Sequence, residues 1–199
     1  MRFLWFPAIV VAAALISGCE SAVAEPLDFS KTNSIDEEWH HFSERLAVVI
    51  ADLHEHDFLI LSEKKRNVYI QFASGGRAGI RVEAVSEQFF PDLDKEDKMN
   101  LDELGWSPPT YILGPKGEKV PGGSCNYSID PDKMSSAKLA DLVVRTFCLV
   151  YHTPHPGDLQ YRAFHAPNTE MRFPTLGLEL APDPAASVNS SQPKPSPAQ

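Results

Sequence analysis

The chain has 199 residues, with 18 Lys and Arg against 27 Asp and Glu, giving a net charge of −9 with neutral histidines. An acidic surface without a basic cluster repels phosphate backbones, which argues against nucleic acid as a partner. This length supplies one hydrophobic core and hardly two.

Met1 and Arg2 precede about fourteen mostly apolar residues, Phe3 to Ile16, and a small-residue exit at Ser17-Gly18. The run is shorter than the ~20 residues a spanning helix needs, so residues 1–18 read as an export signal. Leu15-Ile16-Ser17-Gly18-Cys19 resembles the lipobox of bacterial lipoproteins. The resemblance implies that Cys19 is diacylated, with two acyl chains such as palmitate, and becomes the new N-terminus. The mature protein would then be a lipid-anchored membrane protein on the extracytoplasmic side. Cleavage after Ala22-Val23-Ala24, giving an unanchored secreted protein, is the alternative. Loss of Arg2 with the signal leaves 17 basic against 27 acidic residues, a net charge of −10.

Residues 19–33 have no periodicity and read as a lipidated tether; the domain is expected over residues 34–181. Ser34-Ile35-Asp36-Glu37 has the pattern of a capping box. Trp39, Phe42, Leu46, Val49, Ile50 and Leu53 follow at three- and four-residue spacing, an amphipathic helix to about His54. Phe58 to Leu61 is a continuous apolar run of strand length, expected to be buried. Val68, Ile70 and Phe72, then Ile80, Val82 and Ala84, alternate with polar residues, the period of half-buried strands.

If these two strands form a hairpin, their apolar faces coincide only when paired residue numbers sum to an even value, for example Phe72 with Ile80. A two-residue Gly75-Gly76 turn gives an odd sum. The loop is therefore expected to be of odd length or bulged. Tyr69, Gln71, Arg81 and Glu83 fall on the outward face, a patch able to hydrogen-bond and stack against a peptide; the alternative is ordinary solvated strand residues with an Arg/Glu pair.

Asp94 to Asp97 opens a short helix ended by Gly105, and Pro108-Pro109 prevents its continuation. Residues 111–113 and 126–129 are short strands flanking a Gly/Pro/Lys-rich turn. Asp130-Pro131 is expected to start a helix with the stripe Ala137, Leu139, Leu142, Val143, Thr146, Phe147 and Val150, stopped by Pro154. Residues 156–180 show no single period and read as an arm packed over that helix. Residues 182–199, rich in Pro, Ser and Ala, cannot bury a core and are expected to be disordered. The resulting class is α+β: an antiparallel sheet of about five strands packed on helices, in the order α-β-β-β-α-β-β-α.

That order, with Trp39-x-x-Phe42, Tyr69-Ile70-Gln71-Phe72-Ala73, Arg81-Val82-Glu83-Ala84-Val85-Ser86, Leu104-Gly105-Trp106-x-Pro108 and Pro156-x-x-Leu159-x-Tyr161, resembles the TY-Chap family. These bacterial domains are related to type III secretion chaperones and YbjN proteins. The resemblance, from about Ile35 to Leu180, implies a curved antiparallel sheet on helices and a non-enzymatic role binding a peptide or protein. Similar secretion chaperones are commonly dimeric, which makes a homodimer an expectation; they are also cytosolic, whereas this chain begins with an export signal. A structural or interaction lipoprotein of the cell envelope is the alternative function.

Chemistry-bearing residues are sparse. Cys125 and Cys148 are a candidate disulfide in an exported protein and two buried thiols otherwise. Gly122-Gly123-Ser124-Cys125, with His152 and His155 as bases, is the nearest approach to a cysteine hydrolase, although a thiol needs an adjacent base and the glycines read more simply as a loop. His40-His41, His54-x-His56, His152-x-x-His155 and His165 lack the helical Glu-bearing spacing of a zinc protease; only His54 and His56 warrant a zinc titration. Ser74-Gly75-Gly76-Arg77 lacks the Lys-Ser/Thr of a phosphate loop. No cofactor pattern and no metal set are present.

Overall fold

The computed structural model describes residues 35–116, 119–129 and 134–182. The expected signal, Cys19, the expected tether and Ser34 cap, Asp130-Pro131 and nearly all of the C-terminal segment from residue 182 lie outside the described residues.

Helix α1, Ile35–Ala51, lays Trp39, Phe42, Leu46, Val49 and Ile50 into the core as the three-and-four spacing requires. Strand β1, Asp57–Glu63, follows. It alternates strictly: Leu59 and Leu61 are buried while Phe58 and Ile60 lie half-buried on the other side. The apolar run is thus buried on one face, not both. Strands β2, Tyr69–Ser74, and β3, Ile80–Ala84, form an antiparallel hairpin with Phe72 opposite Val82 and Ile70 opposite Ala84.

Every pair in that hairpin sums to an even number. The five residues between Ser74 and Ile80 make an odd-length loop containing a 3₁₀ turn, Gly76–Ala78. The register sits two residues from the illustrative Phe72–Ile80 pairing, a shift that preserves the faces. Gly76 is needed for its φ of +61°, and a Cβ there would lie 2.8 Å from the Glu55 Cβ.

Helix α2, Lys95–Glu103, begins with the reciprocal capping box of Asp94 and Asp97. It ends in a Schellman motif: Gly105, at φ +88°, donates to the Asp102 carbonyl and Trp106 donates to the Leu101 carbonyl. The segment expected to be a single turn contains a further strand. Strands β4, Tyr111–Leu113, and β5, Lys119–Pro121, form their own small antiparallel hairpin, while β6, Tyr127–Ile129, pairs with β3.

Helix α3, Ser136–Arg145, starts later than expected, because the Ser135 side chain caps it by accepting from the Lys138 N–H. Ala137 is exposed and so drops from the expected stripe; Leu139, Leu142, Val143, Thr146, Phe147 and Val150 are buried. The helix closes with a π turn, Thr146–Val150.

The largest departure is the C-terminal arm. Residues 159–165 are strand β7, paired along its whole length with β1, and not a cover over α3. Strand β8, Thr169–Glu170, returns antiparallel to β7, and β9, Glu179–Leu180, runs parallel to it on the same outer edge. The main sheet therefore has seven strands rather than about five, in the order β6-β3-β2-β1-β7, with β8 and β9 both beside β7. It is antiparallel apart from β9. The α+β class stands. The inward residues of this sheet and the buried stripes of α1 and α3 form one core. No helix among the described residues is long and apolar enough to cross a membrane.

Candidate functional site

Strand parity leaves one face of the sheet for the core and the other for a ligand or solvent. Two rungs define the outer face. One carries Arg162, Ile60, Gln71, Glu83 and Ser128 across β7, β1, β2, β3 and β6; the next carries Phe164, Phe58, Ala73 and Arg81. Apart from exposed Arg81, these side chains are half-buried.

Three of the four patch residues expected from sequence join in one network. The Gln71 amide donates to Glu83 Oε2 at 2.7 Å, and Arg81 Nε lies 2.8 Å from Glu83 Oε1. Glu83 is thereby held by two donors and is only 14% exposed, whereas Arg81 is 58% exposed. Tyr69 shares the face but not the network. Its hydroxyl is engaged by Asn126, whose amide donates to it at 3.1 Å, and its ring packs partly on the core. Burial raises the Tyr69 pKa, against the Asn126 hydrogen bond, which lowers it; the charges of Glu83 and Cys125 add smaller upward pushes.

Sequence reasoning missed the other half of the face. Phe58 and Phe164 stack with centroids 4.9 Å apart and planes 9° from parallel, and the Arg162 guanidinium carbon lies 5.4 Å from the Phe164 centroid. The available signal was partial: Leu159 and Tyr161 alternate with Gln160 and Arg162, but the outward Phe164 beside the inward Ala163 breaks the pattern.

The remaining candidates separate. Cys125 and Cys148 are half-buried and not joined by a disulfide. His152 pairs with Asp97 at 3.0 Å, and His155 Nδ1 accepts the Gly157 N–H at 2.8 Å, so neither imidazole is hydrogen-bonded to Cys125. His54, His56 and His165 gather around Asp57, a buried carboxylate that accepts the His54 N–H at 2.8 Å and meets His165 Nδ1 at 2.8 Å. Among the described residues, no group of three or more His, Cys, Asp or Glu converges as a metal set.

The sheet edges are largely occupied. Ser107 bridges to β6 through Ser128, and Met171 and Ala181 donate to the Ala163 and Tyr161 carbonyls of β7.

Residues 32–165 match the family model described as TY-Chap3, T3SS (YopN, CesT) and YbjN peptide-binding chaperone 3. No curated protein and no solved structure matches the chain.

Proposed function

The chain belongs to the TY-Chap3 family of peptide-binding chaperones, and on that premise we propose that it is a non-enzymatic module whose peptide or protein ligand lies across the outer face of the sheet. The observation that carries this reading is the half-buried face itself. It combines stacked aromatic rings, the aliphatic Ile60, amide and guanidinium donors, and a flat strand surface, the mixture that peptide recognition uses. With β6 bridged and β7 bordered by β8 and β9, face contact is favoured over strand addition.

The leader and Cys19 support a second part of the proposal, that the module is exported and retained at a membrane surface by acyl chains. Fatty-acid labelling that disappears in Cys19→Ser is the expected result; labelling that persists would reject it.

The binding part is tested by selecting peptides from a displayed library on the full chain and following the methyl signals of Ile60 and Ala73. Bound peptides should shift both, and Ala73→Gln, which puts a longer polar side chain in the centre of the face, should weaken binding. Selected peptides that leave both methyl signals in place would move the site elsewhere.

A further inference from the structure

We propose that the outer face selects extended segments with two carboxylates flanking an apolar residue, in the pattern acidic-x-apolar-x-acidic. This deepens the proposed function and rests on it. The protein is acidic, yet two guanidiniums stand on this face. Arg81 gives its Nε to Glu83 and keeps its exposed terminal nitrogens; Arg162 has no carboxylate within ion-pair distance among the described residues and lies over Phe164. The other acids of the face are already engaged: Glu83 by Gln71 and Arg81, Glu170 by Arg172 at 2.8 Å, and Glu179 by Lys64 at 3.1 Å. What the face lacks is an anionic partner for Arg162 and a second one for Arg81, whose Nε alone is given to Glu83, so its charge complement is an acidic ligand.

The spacing sets the pattern. Arg162 on β7 and Arg81 on β3 are three strand spacings apart and offset by one rung, about 16 Å between backbones. An extended peptide rises about 3.3 Å per residue, so side chains at i and i+4 span about 13 Å on the same side, within reach of two arginines. The side chain at i+2 points the same way and comes down between Phe58, Ile60 and Ala73. An apolar or aromatic residue there lies on the stacked rings, whereas a charged one would be desolvated. The ligand chain crosses the strands rather than extending the sheet.

The test uses the full chain and fluorescein-labelled nonapeptides centred on Glu-Thr-Phe-Thr-Glu, Lys-Thr-Phe-Thr-Lys and Glu-Phe-Thr-Thr-Glu, read by anisotropy at low and moderate salt. The first should bind at least about 10-fold more tightly than the second and more tightly than the third, whose aromatic is out of phase. Arg162→Gln should erase most of that advantage, while Lys138→Gln on α3 leaves it intact. Methyl shifts of Ile60 and Ala73 in the native chain locate the peptide independently of any variant. Equal affinity for the acidic and basic peptides, both weakened by Ala73→Gln, would overturn the acidic pattern and leave the peptide-binding face standing. Binding of every peptide without a shift at Ile60 or Ala73 would overturn both.

Discussion

Glu63 is a carboxylate with little access to water, its side chain 7% exposed, and it is stabilised by what surrounds it. Arg66 Nε reaches both of its oxygens at 3.0 Å, the Thr153 hydroxyl donates at 3.3 Å, and the same guanidinium donates to the Tyr151 carbonyl at 2.6 Å while covering Phe90. One side chain thus ties the β1–β2 turn to the end of the last helix. Arg66→Ala leaves a nearly buried charge without its main partner, a loss of about 2–3 kcal/mol once the partial exposure of Arg66 is discounted. Urea melts should show that drop, and Arg66→Lys should recover only part of it, because an ammonium lacks the fork. A midpoint unchanged in Arg66→Ala would reject the clamp. The tyrosines carry a pH dependence of the opposite kind. Burial, assisted by Glu87, Tyr111 and Asp102, pushes the Tyr127 hydroxyl to about 12, and burial also raises Tyr151 well above the ordinary tyrosine value; Tyr151 donates to the Val85 carbonyl at 2.8 Å and needs its proton to do so. A raised folded-state pKa stabilises the fold fully below the unfolded value of about 10, and the contribution is lost as pH climbs through the folded value. Stability should fall between about pH 10 and 12, by up to about 1.4 kcal/mol per pH unit from Tyr127, and thermal midpoints should fall with it. Tyr127→Phe should make that fall shallower; an identical alkaline profile would contradict the assignment.

Elements with a local chemical signature were legible in the sequence. The Asp94–Asp97 box and the Gly105 terminus of α2 follow from side chains that satisfy orphan backbone groups within a few residues, and the β2–β3 loop length follows from parity alone. Gly105 supplies a quantitative check. It sits at φ +88° with open space around its missing Cβ, so Gly105→Ala carries only the backbone penalty, about 1 kcal/mol. Gly105→Asn should cost less, and a penalty several times larger would mean that a contact had been overlooked. Strands whose faces do not contrast were not legible. In β7 the weakly apolar Ala163 points inward while the strongly apolar Phe164 points outward, so hydropathy does not alternate although burial does. In β1, Phe58 and Ile60 are as apolar as Leu59 and Leu61, which hides the exposed side of the strand. Tyr69, Gln71, Arg81 and Glu83 could be placed on one face from local alternation, but their continuation through Phe58 and Arg162 needed long-range pairing, which no local pattern specifies.

At the scale of the molecule, the arm after β7 completes both the core and the sheet. The family match ends at residue 165, the last of β7, so β8, the 3₁₀ turn Pro174–Leu176 and β9 lie beyond it. Yet Leu176 is wholly buried, Phe173 is nearly so and takes the Tyr161 hydroxyl as acceptor at 2.9 Å, and the Leu176 carbonyl receives Arg45 Nε of α1 at 3.2 Å. Removing side chains of this size from a core costs about 3–5 kcal/mol each, against a total stability of about 5–15 kcal/mol. Ending the chain at Arg172 should therefore melt it near or below room temperature. It should also strip β9 from Gln160 and Tyr161 of β7 and leave an unpaired edge that invites association. Ending it at Pro182 keeps the Ala181 N–H on the Tyr161 carbonyl at 2.7 Å and every other described contact of the arm, so the midpoint should be unchanged. Thermal melts with size-exclusion chromatography of the two truncations distinguish an arm that is part of the fold from one that merely lies on it. A cooperative, monomeric transition after truncation at Arg172 would show that the chain up to β8 folds without Phe173, Leu176 and β9.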